Sequence, residues 1–194
     1  MATSSILRKA RESALLSVAF FESHATELER CAHALVDRFE RGGRLFVMGN
    51  GGSSCDAEHV AVEFSHPIIV RRRALPAFAL ANNRALVTAI GNDNDYTRIF
   101  LDQVELFGRA ADVLLGISTS GESPNVNRAL KRGRDRGLMT IGFAGGDGGP
   151  MPTFCDFVFI VPAWSVQRVQ EVHTVLLHLL WDQVHVSQGE ADVL

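Results

Sequence analysis

Short apolar runs alternate with segments of helix length, and this alternation restricts the fold of the chain more than any other feature. The runs are apolar almost throughout, rather than at every second position. They lie at 44–48, 76–80, 112–117, 138–143 and 157–161. Such runs are typical of strands buried on both faces of a parallel sheet. Helix-length segments lie at 53–66, 84–107, 124–136 and 165–187. The pattern predicts an α/β fold with a flavodoxin-like, doubly wound parallel sheet.

The first 41 residues differ from the rest. Residues 4–41 contain no Pro or Gly and are followed by Gly42 and Gly43, which predicts a helical hairpin or a kinked pair of helices. An apolar stripe at helical spacing, Leu7, Leu15, Val18 and Phe21, needs burial against a core or a partner. Since no repeat or linker divides the chain, we expect a single domain over 1–194, with 1–41 as N-terminal helices used in oligomerisation. The segment 84–107 is expected to break at 91–93.

Charge and cysteine content exclude several classes of protein. The net charge is −3, without the basic excess typical of nucleic-acid binding. Three widely spaced cysteines predict neither a disulfide framework nor a thiolate zinc site, which favours a reducing cytoplasm. Charged and polar residues interrupt the longest apolar stretch, 166–186, so we expect no membrane span. We therefore expect a cytoplasmic protein that binds neither nucleic acid nor membranes.

Two loops follow predicted strands, in the position where open α/β sheets bind ligands. The first, Gly49–Ser54, is glycine-rich but lacks the Lys-Ser or Lys-Thr of a Walker loop and the third glycine of a dinucleotide fingerprint. The second, Ser118–Pro124, carries four hydroxyls ahead of a helix. Hydroxyls and amides at a helix N-terminus can hold a phosphate monoester, so this loop is predicted to bind phosphate; a helix cap alone would need only one serine.

Two predicted helices carry a candidate metal site. His59 and Glu63 are one turn apart and share a helix face. Gln170 and His178 are two turns apart on the last helix and could converge on the same ligand. Imidazole and oxygen donors together suit a zinc-like divalent ion. Spacing alone does not establish the site, because helical His/Glu pairs are common on solvated surfaces.

Several motifs together resemble the phosphoheptose isomerases, which are SIS-domain (sugar isomerase) proteins. The match runs from about residue 40 to the end and depends on the order and separation of the motifs. They are 49–53 with 56–59 and Glu63, then 86–93, 117–121 and 169–173. The resemblance implies a homotetramer with active sites at subunit boundaries. It also implies conversion of D-sedoheptulose 7-phosphate to D-glycero-D-manno-heptose 7-phosphate, through an enediolate, for heptose precursor synthesis.

The resemblance also implies roles for individual residues. One Zn²⁺ per subunit would be held by His59, Glu63, Gln170 and His178. Glu63 and His178 would handle the proton. The sugar would contact Glu63 and Gln170 together with Asn50, Gly51, Gly52, Ser53, Asn92 and Asp93. The phosphate would contact Ser118, Thr119, Ser120 and Ser123.

The chain departs from the family pattern in two segments, 65–73 and 163–168, the second lacking the usual Asp-Thr pair. These departures leave open an isomerase for another ketose phosphate. A non-enzymatic SIS protein that binds a sugar phosphate or a replication initiator is the other alternative, although such proteins lack equivalents of Glu63 and His178. The arginines at 71–73 are expected on the solvated surface, where one of them could reach the substrate. His173 is expected to be packed or to support the site from behind.

Overall fold

The computed structural model describes residues 4–69 and 71–192. The strands are β1 (Leu45–Gly49), β2 (Ala77–Ala79), β3 (Val113–Ser118), β4 (Met139–Gly145) and β5 (Phe157–Val161). The helices are α1 (Ser5–Glu40), α2 (Gly52–Ser65), α3 (Arg84–Asp93), α4 (Leu101–Phe107), α5 (Pro124–Asp135) and α6 (Val166–Ser187). Short 3₁₀ turns lie at Leu80–Asn82, Tyr96–Arg98 and Met151–Thr153.

The strands form one parallel sheet in the order β2-β1-β3-β4-β5. This is the doubly wound, flavodoxin-like order, so the predicted fold class is confirmed. Successive side chains of a strand point to opposite faces, and both faces are covered. Val47 packs with α1, α2 and α6, whereas Met48 packs with α3, α4 and α5. The strands are apolar throughout because each face meets a layer of helices.

The first helix is uninterrupted for 36 residues, so the predicted hairpin or kinked pair is wrong. Without Pro or Gly, nothing in this segment ends a helix before Gly42, and a length of about 54 Å results. Its second half packs on the sheet through Leu28, Leu35 and Val36. Near its start Leu7, Leu15 and Val18 are exposed, while Phe21 packs against the core. Among the described residues, no helix is long and apolar enough to cross a membrane.

The predicted break within 84–107 occurs slightly later in the chain than expected. Gly91, Asn92 and Asp93 form the last turn of α3, and the helix ends at Asn94. A glycine inside a helix is unfavourable but tolerated, and the N–H of Asn94 still donates to the carbonyl of Ile90. The 3₁₀ turn Tyr96–Arg98 then leads to α4.

One arginine of the 71–73 group is buried, so the expected solvated surface is wrong for Arg72. Its guanidinium forms an ion pair with the buried Asp182 of α6, lies 4.5 Å from the ring centre of Trp181 and donates to the carbonyl of Ala191 at 3.1 Å. Asp182 accepts this charge-assisted bond in a largely dry environment. The segment after α2 is therefore attached to the C-terminal half of α6.

Removing one member of this pair leaves the other charge buried without its partner. We expect Arg72→Met to lower the free energy of unfolding by about 3–5 kcal/mol. The double variant Arg72→Met/Asp182→Leu should regain most of that loss, because apolar side chains then replace both charges. Arg73→Met, at the exposed neighbour, is the control and should change stability by less than about 0.5 kcal/mol. Urea unfolding measures all four proteins; a single variant as stable as wild type would contradict a buried pair.

Candidate active site

The two candidate loops lie side by side because β1 and β3 are neighbours in the sheet. The chain leaves β1 toward one edge of the sheet and β3 toward the other, so a crevice forms between the loops that follow them. Hydrogen bonds join the loops directly. The amides of Asn50 and Asn125 each donate to the other's carbonyl oxygen, at 2.9 and 2.8 Å. The glycine-rich loop and the hydroxyl-rich loop are thus parts of one structural unit.

Glycine is required where the first loop enters α2. Gly51 has φ +55° and ψ −123°, a conformation that side-chain-bearing residues rarely adopt. The turn leaves the first N–H groups of α2 without intrahelical partners, as at any helix N-terminus. Ser53 is buried in this first turn, with its N–H donating to the carbonyl of Asn50 at 3.0 Å.

Three of the four predicted metal ligands converge between α2 and α6. The Nε2 atom of His59 lies 3.2 Å from Nε2 of His178 and 3.3 Å from Oε1 of Glu63. Ligand atoms of all three residues lie within 4.8 Å of one another. The histidine rings are nearly perpendicular, at 80°. The side chains are only partly buried, so the cluster is open to a ligand.

These distances fit a tetrahedral ion. Donor atoms about 2.0–2.1 Å from a tetrahedral zinc lie about 3.3 Å from each other, which matches the two separations at His59. Two imidazoles and a carboxylate leave a fourth position for a further ligand or a substrate. The donor set and its spacing therefore suit a zinc-like divalent ion.

The fourth predicted ligand, Gln170, lies at the start of α6 against the glycine-rich loop. A methyl group on Gly52 would overlap Nε2 of Gln170, so the amide packs directly on the loop backbone. The pairs Gly52/Gln170 and His59/His178 show that α2 and α6 run in the same direction, side by side. The structure thus gathers three of the predicted ligands, and metal binding by Gln170 stays a prediction.

His173 supports α6 from inside the protein. It is fully buried, and its Nε2 lies 3.2 Å from the carbonyl oxygen of Ala144 at the end of β4. A carbonyl only accepts, so Nε2 carries a hydrogen. Burial lowers the pKa of His173 to about 4, opposed in part by the bond to Ala144. As expected from the sequence, this is a packed histidine.

The hydroxyl-rich loop is closed by its own hydrogen bonds. Ser118 is buried and donates through Oγ to Ser123 Oγ at 2.9 Å, while Oγ of Ser120 accepts from the N–H of Glu122 at 3.1 Å. Thr119 is half-buried between them. Gly121, at φ +72°, leaves no room for a side chain because the backbone of Gly148 lies against it. The four hydroxyl-bearing residues of the phosphate prediction thus share one tight turn before α5.

Asn92 and Asp93 belong to a different element from this turn. Both are exposed in the last turn of α3, where Nδ2 of Asn92 donates to Oδ1 of Asp93 at 2.7 Å. Within the described ranges, no hydrogen bond joins either side chain to the glycine-rich loop. Their contact with the sugar stays a prediction.

Two residues of the site were missed in the sequence. Asn125 is buried at the start of α5, and Tyr96 lies in the 3₁₀ turn after α3, where its hydroxyl donates to Oδ1 of Asn50 at 3.2 Å. Tyr96 is the single tyrosine of the chain. Asn125 follows a proline at a helix start, which was a weak signal beside the neighbouring serines. No sequence pattern places Tyr96, because its partner is 46 residues away.

Comparisons with known proteins find a SIS domain and similarity to phosphoheptose isomerases. Residues 10–145 match the family model described as SIS domain. The phosphoheptose isomerase of Pelobacter propionicus is 45% identical over 153 residues, covering 79% of this chain and 81% of that protein. The phosphoheptose isomerase of Desulfovibrio desulfuricans is 44% identical over 175 residues, covering 90% of this chain and 83% of that protein.

Solved structures give the same similarity. A phosphoheptose isomerase from Francisella tularensis superposes with a TM-score of 0.90 at 30% identity, covering 95% of this chain and all of the other. A phosphoheptose isomerase from Neisseria gonorrhoeae gives a TM-score of 0.86 at 33% identity, with 92% and 96% covered. The similarity thus extends over nearly the whole chain.

The buried, neutral His173 makes stability depend on pH. An unfolded chain binds a proton at this ring with a pKa near 6.5, whereas the folded protein binds it only near 4. The contribution of His173 to the free energy of unfolding is therefore present in full above about pH 6.5 and is lost as the pH falls toward 4. We expect His173→Gln to reduce the slope of unfolding free energy against pH in this window, by at most about 1.4 kcal/mol per pH unit. Unfolding in urea from pH 4 to 7 measures it; identical slopes would contradict a neutral buried ring.

Zinc affinity tests the three converging side chains. We expect His59→Ala to weaken zinc binding by at least about 100-fold, because one of the three converging ligand atoms is lost. His33→Ala, at an exposed histidine of α1, is the matched control and should bind as wild type does. Competition with a chromophoric chelator gives the dissociation constants. Equal affinity in wild type and His59→Ala would place the metal elsewhere.

Proposed function

Because the chain belongs to the SIS domain family and, within it, to the phosphoheptose isomerases, we propose that it converts D-sedoheptulose 7-phosphate to D-glycero-D-manno-heptose 7-phosphate. This is an aldose–ketose isomerisation that supplies heptose precursors. The observation that carries the proposal is the convergence of His59, Glu63 and His178 in a chain that also holds a hydroxyl-rich loop at a helix start.

The reaction needs a base that removes a proton from the carbon beside the carbonyl. Glu63 is that base in our proposal: its carboxylate is fixed by α2, lies 3.3 Å from His59 and is partly open to solvent. His178 faces the same space from α6, and with Nε2 on the metal its other ring nitrogen, Nδ1, is the one that can carry a proton for the neighbouring carbon. The two groups lie on different helices, so they can address adjacent carbons of one substrate.

The enediolate oxygen needs stabilisation as charge develops on it. We propose that one Zn²⁺ per subunit is held by His59, Glu63 and His178, with Gln170 as a fourth ligand. When bound, the ion supplies Lewis-acid polarisation of the carbonyl and the adjacent hydroxyl. The fit of the observed donor spacing to a tetrahedral ion supports this ligand set.

The phosphate is held at Ser118, Thr119, Ser120 and Ser123. Hydroxyls and N–H groups at the start of α5 can bind a dianion without a buried cation. Binding energy from this remote group aligns the reacting carbons with Glu63 and His178. His59 is two turns along α2 from Gly52, about 10 Å along the helix axis. An extended sugar suits this distance between the glycine-rich loop and the cluster of His59, Glu63 and His178.

We further propose a cytoplasmic homotetramer in which 1–194 is one domain, α1 takes part in assembly and the active sites lie at subunit boundaries. Large apolar side chains are exposed near the start of α1: Leu7 is 53%, Leu15 71% and Val18 57% exposed. Unpartnered apolar surface of this kind is typical of an interface. The partial exposure of His59 agrees with a site that a neighbouring subunit completes.

The segments that depart from the family pattern determine how the substrate should be tested. Zinc-loaded protein is incubated with five- to seven-carbon ketose phosphates, and aldose phosphate is measured by NMR. We expect the seven-carbon substrate to have the highest kcat/KM. A shorter ketose phosphate with higher kcat/KM would correct the substrate. Tight binding of a ketose phosphate without turnover would replace the isomerase with a sensing protein.

Glu63→Gln separates proton transfer from binding. The amide keeps the shape and one oxygen donor but is not a base, so we expect kcat to fall by about 10²–10⁴-fold while phosphate binding survives. Exchange of the substrate's carbon-bound hydrogen with D₂O should fall in proportion, since it reports proton abstraction directly. Glu58→Gln, exposed on the same helix, is the control and should exchange as wild type does. Exchange near the wild-type rate in Glu63→Gln would assign the base to another residue.

A further inference from the structure

A chain of hydrogen bonds connects Val126, Asn125, Asn50 and Tyr96. The N–H of Val126 donates to Oδ1 of Asn125 at 3.0 Å. The amides of Asn125 and Asn50 exchange two bonds, and the Tyr96 hydroxyl reaches Oδ1 of Asn50 at 3.2 Å. This series of hydrogen bonds begins at the buried start of α5 and ends at Tyr96, which is 58% exposed.

A backbone group fixes the direction of every bond in this chain. A backbone N–H only donates, so the atom of Asn125 facing Val126 is its carbonyl oxygen and the other is its NH₂. That NH₂ requires an acceptor, which orients the amide of Asn50 with Oδ1 toward it. Since Oδ1 only accepts, the Tyr96 hydroxyl must donate its hydrogen to it. No alternative orientation of the two amides satisfies all four groups.

This directionality determines which hydrogen-bonding group the series presents at its solvent-exposed end, Tyr96. Tyr96 has used its hydrogen, so its oxygen offers only lone pairs. In the reciprocal pair Asn50 uses the N–H on the same side as its Oδ1, so its second N–H points away from Tyr96. An acceptor, the Tyr96 oxygen, therefore stands at the open end of the series, beside Asn50 of the glycine-rich loop. A hydroxyl group of a polyol can donate its hydrogen to this oxygen.

We propose that Tyr96 is a specificity-determining residue whose oxygen accepts a hydrogen bond from one hydroxyl of the sugar chain between the phosphate and the reacting carbons. The inference rests on the proposed function and adds to it a residue that recognises one hydroxyl of the substrate. The ring of Tyr96 lies against Gly91, next to the predicted sugar contacts Asn92 and Asp93. Its exposure argues against a packing role, because a tyrosine that serves the core is normally buried.

Tyr96→Phe tests this assignment, since it removes one oxygen and keeps the ring. The substrates are sedoheptulose 7-phosphate and its 4-, 5- and 6-deoxy analogues, and the readout is kcat/KM for each. In wild type we expect one analogue to lose about 3- to 10-fold against the parent sugar. Tyr96→Phe should lose a similar factor on the parent sugar and show no further loss on that analogue. A purely structural role would lower all four values in parallel.

Thr97→Val is the matched control. It removes a hydroxyl from the same turn, but that hydroxyl accepts from Arg128 rather than reaching Asn50. We expect it to keep the wild-type order of the analogues. Tyr96→Phe that discriminates among the analogues as wild type does would overturn the proposal, as would a wild type indifferent to all three. Failure of the proposed function is a separate result, in which wild type isomerises neither the parent sugar nor any analogue.

Discussion

The packing of α2 beside α6 is the constraint on which the site depends. Both helices cover the same face of the sheet and run in the same direction, so residues at matching heights meet in pairs. One pair places Gln170 on the glycine-rich loop, and the next places His178 on His59 and Glu63. A rotation or slide of α6 would separate the imidazoles. The buried His173 and the Arg72–Asp182 ion pair hold α6 at two further points, on β4 and on the segment after α2.

A second constraint comes from the sheet order. Because β1 and β3 are adjacent, the loops predicted to contact the sugar and the phosphate are joined through Asn50 and Asn125. In the proposed function, the phosphate and the polyol contact this edge of the sheet, and the reacting carbons contact the two helices. This division suits a reaction in which remote binding energy aligns two adjacent carbons for proton transfer. It also agrees with the proposed proton-handling residues and the proposed phosphate loop coming from separate parts of the chain.

Much of this was predictable from the sequence, because strand burial and helix periodicity are local signals. The apolar runs predicted the sheet, and the spacing of His59 and Glu63 predicted one helix face. The continuous α1 was not predicted, since residues 4–41 were interpreted as a hairpin or a kinked pair of helices, although they contain no Pro or Gly that would divide them. The burial of Arg72 depends on Asp182, 110 residues away, and Tyr96 depends on the distant Asn50. Long-range polar contacts of this kind leave no periodic trace, so only the folded chain reveals them.

Anomalous diffraction at the zinc edge, from crystals of the zinc-loaded protein, locates the metal relative to α2 and α6. If His59, Glu63 and His178 hold the metal, we expect one strong peak per chain, at about 2.0–2.2 Å from Nε2 of His59, Nε2 of His178 and the carboxylate of Glu63. A peak displaced from these three atoms, or no peak there while zinc is found elsewhere on the chain, would contradict it.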